Sequence, residues 1–239
     1  MRRAAVVFGA ALALGASACA SSKPGPGVAP GPVTVSPTPS VQQVVGSGPV
    51  PRVACAFTTQ SEDTAGRNPG LPPSTVDASG PRTASLNTDL GDIEFTMDAA
   101  KTPCTVASFT WLGSKRFLDG THCHRLTTAG IFVLQCGDPT GTGSGGPGYT
   151  IPDENLDGAT YPAGTVAMAN TGFPHSGGSQ FFLVYQDTQL DPTYTPFGRI
   201  TTGLDVVRSI ATQGVKGGGA DGEPAATVTI DSFRVSSDG

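Results

Sequence analysis

The sequence predicts a mainly β domain: a closed antiparallel barrel capped by two helices, set behind a long unstructured N-terminal arm. Three observations predict it. First, short apolar/polar alternations recur through the later part of the chain. Ile93, Phe95 and Met97 alternate with Glu94, Thr96 and Asp98, the pattern of a half-buried strand. Second, two stretches carry apolar residues at helical spacing with a glycine closing each. Third, 12 of the 21 prolines fall within residues 20–81, where a chain so poor in buriable surface cannot offset the entropy of ordering itself. Many short strands with two helices suit a closed sheet whose open ends the helices cover.

The elements follow in order. Arg2 and Arg3 precede an apolar run from Ala4 to Gly15, 12 residues long. That is too short to span a bilayer and fits the core of a secretory signal. Residues 1–18 are therefore expected to be an export signal. Ala16-Ser17-Ala18 suits ordinary secretion, while Cys19 followed by Ala20-Ser21-Ser22 resembles a bacterial lipobox in which Cys19 carries the lipid. Lipidation at Cys19 would hold the protein at the outer side of the cell membrane, since several acyl chains suffice for stable anchoring. Plain secretion is the alternative. Residues 19–81 read as an extended Pro/Gly/Ser-rich tether, although Val53, Cys55 and Phe57 alternate and could dock the stretch 50–57 on the folded part.

Residues 82–239 then read as the folded domain. Residues 83–97 form a hairpin turning near Gly91-Asp92. Thr102-Pro103 looks like an N-cap and first-turn proline. Val106, Phe109 and Leu112 follow on one helical face, with Gly113 as the stop. Short strands are expected at His122–Leu126, Ile131–Cys136, Gly164–Asn170 and Gln180–Gln186. A second helix spans Leu204 to Gln213, with Val207 and Ile210 inward and Gly214 closing it. A last strand, Thr227–Val235, slips phase between Ile230 and Phe233, which predicts a bulge.

Composition excludes several functions. With a net charge of −5 and only 14 Lys+Arg, the chain is no phosphate-tracking nucleic-acid binder. Gly141, Gly143 and Gly146 match G-x-G-x-x-G, but Pro147 stands where a helix should open and no P-loop lysine follows, so the segment reads as a flexible surface loop. Gly178-Ser179-Gln180 lacks the second glycine of a nucleophile elbow. His122 and His124 share one face of a strand with Cys123 on the other, too few ligands for a structural zinc. Four cysteines remain after processing, at 55, 104, 123 and 136. In an exported domain an even set reads as two bridges with three pairings open. Cys123 and Cys136 lie on neighbouring strands, which favours 123–136 with 55–104.

One ordered set of segments carries more. It comprises His124-Arg125-Leu126, Phe132-Val133-Leu134-Gln135-Cys136-Gly137-Asp138, the Gly-rich loop, Gly164-Thr165-Val166-Ala167-Met168-Ala169-Asn170, Gly177-Gly178-Ser179-Gln180-Phe181-Phe182-Leu183, Leu190-Asp191 and Phe197-Gly198-Arg199-Ile200. Its order and spacing closely resemble the cyclophilin family of peptidyl-prolyl cis/trans isomerases. The resemblance implies an eight-stranded barrel with two capping helices and a substrate groove on its outer face. It implies that Arg125 is the catalytic side chain, with His124 in support. Phe132, Val133, Phe182 and Leu190 would form the proline pocket, and Gln135 would bond substrate backbone. Ala169 and Asn170 would pair with the extended peptide, Gln180 would line a neighbouring pocket, and Tyr194, where a histidine is usual, would wall the groove.

Departures from the family pattern are local. Two extra residues precede Phe132, Val133 replaces a common methionine, and the insert Phe173-Pro174-His175 is expected to alter preference for residues before the proline. The implied function is isomerisation of X-Pro bonds in exported proteins by a monomer that needs no cofactor and no metal. Its partners would be proline-containing polypeptides and, through the lipid, the membrane. The alternative is a non-catalytic proline-peptide binder, a chaperone or scaffold at the cell surface.

Overall fold

The structure, a computed structural model, describes residues 50–61 and 63–237. The export signal 1–18, Cys19 and the first part of the tether lie outside the described residues. The tether reading does not extend to its last thirty residues. Strand β1 (Arg52–Ala54) pairs antiparallel with β3 (Thr75–Asp77), Val53 opposite Val76, and β2 (Thr58–Thr59) lies between them in sequence. Cys55, Val76 and Ala78 are buried. Cys55 is bonded to Cys104, the Trp111 indole N–H points at the carbonyls of Pro69 and Gly70, 3.1 and 3.2 Å away, and Arg67 donates to the carbonyls of Phe117 and Asp119. Proline-rich chain without a core of its own thus borrows one. The expected docking of 50–57 occurs, and the strap continues through residue 79 along the first helix.

Strands β4 (Pro81–Thr88) and β5 (Gly91–Asp98) form the expected hairpin, Thr88 opposite Gly91. Helix α1 spans Pro103–Ser114. Its N-terminus is satisfied differently from the expectation: the Thr102 hydroxyl donates back to Asp98 O at 2.8 Å, and the amides of Cys104 and Thr105 donate to the Glu154 carboxylate, each at 2.9 Å. A distant carboxylate therefore takes the role of the local cap and meets the positive end of the helix dipole. Gly113 does not stop the helix. It lies inside it, where a Cβ would come 3.4 Å from the Phe233 ring, and Arg116 takes the left-handed turn beyond (φ 53°).

The remaining elements are β6 (Thr121–His122), β7 (Arg125–Thr127), β8 (Val133–Cys136), β9 (Tyr149–Thr150), β10 (Thr165–Met168), β11 (Phe181–Val184), β12 (Pro196–Thr202), α2 (Leu204–Thr212), β13 (Asp221–Gly222) and β14 (Thr229–Ser237). Strand β9 pairs with β2. In α2, Val207 and Ile210 are buried as expected. The register of β14 shifts between Ile230 and Ser232, the expected bulge, so that Ile230 and Phe233 both turn inward. Cys123 and Cys136 are bonded; both pairings match the favoured ones.

Ten strands make one antiparallel sheet in the order β13-β7-β8-β11-β10-β12-β5-β4-β14-β6. Eight have three or more residues; β6 and β13 have two. The sheet curls so strongly that one segment bonds toward both ends of the strand order: Cys123 N–H donates to Val228 O beside β14, and His124 N–H donates to Gln135 O on β8. Its concave side holds Phe95, Phe109, Phe181, Phe197 and Phe233, with Phe109 and Phe197 centroids 4.7 Å apart. A smaller cluster, Val133, Tyr161, Ala167, Phe182 and Val184, sits on the opposite face of β8, β10 and β11. Period-two alternation divides the two: Phe181 and Leu183 face inward while Phe182 and Val184 face outward. That outer cluster floors the site.

Candidate active site

Residues of β7 and β8 stand opposite one another, Arg125 against Gln135. Both project outward, since Leu126 and Leu134 occupy the inward positions. Arg125 Nη1 donates to Gln135 Oε1 at 3.3 Å. Its Nε and Nη2 donate to the two carboxylate oxygens of Asp221 on β13, at 2.8 and 2.7 Å. The Arg125 bonds hold the Asp221 carboxyl below the usual carboxylate range. A guanidinium has five N–H bonds. Among the described residues these contacts use three, so two remain, one on each Nη. The relay continues beyond Gln135: its Nε2 donates to Gln180 Oε1 at 2.8 Å, and Gln180 Nε2 donates to Gly143 O and Gly145 O at 3.0 and 2.9 Å.

Beside the guanidinium lies a groove of about 370 Å³. Ile131, Val133, Phe182 and Leu190 supply its apolar surface, and Ala169, Asn170 and Tyr194 wall it. Tyr161 stiffens that wall from beneath, its hydroxyl donating to Tyr194 O at 2.8 Å and accepting from Tyr194 N–H at 3.1 Å. A second pocket of about 160 Å³ lies on the other side of Gln135, lined by Gln180, Asn170 and the Gly143–Gly146 loop. That loop is not free, contrary to the flexible-loop expectation: the Asp138 carboxylate accepts from Thr140 N–H and Oγ1 and from Gly143 N–H. A Cβ at Gly145 would collide with the same carboxylate, so glycine is needed there for close approach.

His124 lines the groove beneath this loop. Neither ring nitrogen has a hydrogen-bond partner among the described residues. Burial pushes its pKa below the ordinary histidine value, outweighing Asp138, so the ring is neutral near pH 7.

Of the nine residues expected to bind substrate, Val133, Gln135, Ala169, Asn170, Phe182, Leu190 and Tyr194 meet in the groove, and Gln180 lines the adjacent pocket as expected. Phe132 does not join them. Its ring packs against Tyr185, centroids 6.0 Å apart, at the edge of the inner core. Strand parity decides this, because Phe132 has the phase of Leu134, and Ile131 shares the outward phase of Val133 and Gln135. Counting in twos from Gln135 finds Ile131. Asp221 carried no sequence signal; it lies 96 residues from Arg125 and reaches it through the β13–β7 pairing.

Residues 83–235 match the family described as cyclophilin type peptidyl-prolyl cis-trans isomerase/CLD. The chain belongs to the cyclophilins. It is 47% identical over 166 residues to the probable peptidyl-prolyl cis-trans isomerase B of Mycobacterium leprae, across 64% of this chain and 56% of that one. It is 47% identical over 162 residues to the protein of the same name from Mycobacterium tuberculosis, across 62% and 52%. The chain thus spans about half the length of these curated relatives. A crystal structure of a cyclophilin type isomerase from Cryptosporidium parvum superposes with a TM-score of 0.60 at 26% identity, covering 67% of this chain and 100% of that one. The same Cryptosporidium protein has been crystallised in the presence of the dipeptide Ala-Pro.

Proposed function

We propose that this cyclophilin isomerises X-Pro bonds in polypeptides, with Arg125 as its catalytic residue. The chemistry needs little. Amide resonance sets a barrier of about 18–20 kcal/mol, so uncatalysed X-Pro bonds exchange over tens to hundreds of seconds. At a right-angle twist the conjugation is lost and the proline nitrogen regains a lone pair. A donor aimed at that nitrogen bonds the twisted state and not the planar one, which is what lowers a barrier.

The observation that carries this reading is the Arg125 guanidinium, held by Asp221 and Gln135 with two N–H bonds uncommitted among the described residues, beside an apolar groove. Val133, Phe182 and Leu190, with Ile131, would hold the proline ring. Gln135, anchored by Gln180, would position the flanking carbonyl, and the Ala169–Asn170 edge would pair with the peptide. His124, neutral and half-buried, would support the loop and transfer no proton. A protease-coupled or exchange-NMR assay on proline tetrapeptides tests the reading. Catalysed exchange is expected; binding without acceleration would identify the non-catalytic binder instead.

We propose further that residues 1–18 direct export and that lipidated Cys19 anchors the protein outside the cytoplasmic membrane, where its clients would be exported chains. Replacing Cys19 by Ala should move the protein from the membrane fraction to the medium. Unchanged fractionation would reject the anchor.

A further inference from the structure

Beyond the Asn170 wall of the groove lies a third cleft, of about 450 Å³. It shares Asn170 and Tyr194 with the groove, so the two openings adjoin. Leu156, Phe173, Pro174 and the Tyr194 ring give it an apolar interior. Phe173, at its lip, is 74% exposed, the most exposed large apolar side chain among the described residues. Three of the four most exposed large apolar residues lie elsewhere, so Phe173 is not part of a general apolar surface.

The loop bearing Phe173 is built to hold it there. Gly172 N–H donates to Asn170 Oδ1 at 3.0 Å, Thr171 N–H to Ser176 Oγ at 3.1 Å, and the Ser176 hydroxyl to Phe173 O at 2.6 Å. Asp153 and His175 lock the far side reciprocally. His175 N–H donates to Asp153 Oδ2 at 2.8 Å and Asp153 N–H to His175 Nδ1 at 3.0 Å, which fixes His175 at φ 56°. An exposed ring on a mobile loop would lose freedom when it bound something. A ring on a backbone already held in place has only its own side-chain rotation to lose.

The polar groups around the cleft are largely engaged. Asn170 uses both ends of its amide, on Gly172 N–H and Thr193 O. Both oxygens of Glu154 cap α1, and Asn155 Nδ2 donates to Pro196 O. A polar side chain entering the cleft would leave water and find few partners, whereas an apolar one would only gain by burial.

We propose that this cleft is a specificity subsite for a large apolar side chain, aromatic or branched aliphatic, borne by one of the residues preceding the proline. The proposal rests on the isomerase reading of the adjacent groove and names what that groove selects. The residues that precede the proline are the ones concerned, because the insert Phe173-Pro174-His175 that lines this cleft is the feature expected to alter preference there, and the Asn170 edge beside it is read as pairing with the extended peptide.

The test uses the full chain and tetrapeptides in which each of the two positions before the proline is varied among Ala, Phe, Leu, Glu and Lys. Isomerisation is measured as kcat/KM, and binding by NMR titration of the Gly172 and Phe173 amides. Phe or Leu at one of those positions should be favoured over Ala and over both charged residues. Phe173→Ala should lower the Phe-to-Ala ratio about tenfold, the order expected for losing most of a phenyl contact, and Phe173→Leu should retain most of it. Active protein with no such preference, or with one that Phe173→Ala leaves intact, overturns the subsite while sparing the isomerase. If no peptide is isomerised, the isomerase reading fails. The titration then decides the subsite alone: tighter binding of the Phe peptide with shifts at Phe173 upholds it, and equal binding overturns it.

Discussion

Replacing Arg125 by Ala removes three ties at once: two to Asp221 and one to Gln135. The pair with Asp221 is solvent-facing, with Arg125 38% and Asp221 55% exposed, so it adds at most about 1 kcal/mol to stability. The variant should therefore fold and melt within a few degrees of the wild type. Catalysis should suffer far more. One preorganised donor directed at transition-state charge contributes about 2.7–4 kcal/mol, which predicts a fall in kcat/KM of about 10²–10³-fold.

Arg125→Lys sharpens the argument. An ammonium keeps the charge but has three donors without a fork. Asp221 and Gln135 would claim them, leaving at most one for substrate in poorer geometry. An intermediate loss of about 10–100-fold is expected, less than the range for removing one donor outright. The assay is the rate of cis-to-trans conversion of a proline tetrapeptide, with peptide affinity measured in parallel by NMR. Alanine and wild type with equal rates would refute the role given to this side chain. So would a loss accounted for wholly by weaker peptide binding.

Other outcomes follow from single contacts. Burial holds the His124 pKa below its ordinary value of about 6.5. The unfolded chain therefore takes up this proton first as pH falls, and the stability due to His124 is present above about pH 6.5 and is lost progressively down to the lower folded value. The profile of kcat/KM should show no limb between pH 6 and 8, and a limb near 6.5 that vanishes on replacing His124 would contradict its supporting role. Glu154→Ala leaves the Cys104 and Thr105 amides without their carboxylate and should cost about 1–3 kcal/mol in urea unfolding; no shift in midpoint would mean that α1 needs no distant cap. Replacing Cys55 and Cys104 together by Ser opens a loop with a sequence separation of 49, a loss of about 4 kcal/mol by chain entropy. It should also expose residues 52–79 to proteolysis, and an unchanged digestion pattern would show that the strap holds by packing alone. Alkylation of unfolded, unreduced protein should label none of the four cysteines at 55, 104, 123 and 136.

Local pattern was enough wherever one strand or helix decided the outcome. Alternation marked the β4–β5 hairpin, turn spacing and apolar period marked α2, and the phase slip at Ile230–Phe233 marked the bulge in β14. The resemblance located Arg125, Gln135, Val133, Phe182, Leu190 and Tyr194, which the fold gathers around one groove. What failed did so where neighbours in space override neighbours in sequence. Thr102 looked like a cap because only its own turn was visible; Glu154, fifty residues away, takes the amides instead. Gly113 looked like a helix stop, but it lies inside α1 facing the Phe233 ring, and the left-handed residue beyond the helix is Arg116.

Residues 52–79 looked like tether because proline content reports that a segment cannot build a core, and says nothing about whether it can lie on another. Phe132 looked like pocket because an apolar residue beside a motif is ambiguous until strand parity assigns its face.

Sequence by itself therefore determined the β-rich class, most helix and strand positions after residue 82, a favoured disulfide pairing and the residue types of the groove, because each depends on short-range periodicity or on a motif read as a unit. Only the tertiary structure decided that Asp221 and Gln135 aim Arg125, that Ile131 rather than Phe132 enters the groove, and that Phe173 stands beside it. Those are relations between segments far apart in the chain, and side-chain direction there is set by sheet register and packing, which no local pattern encodes.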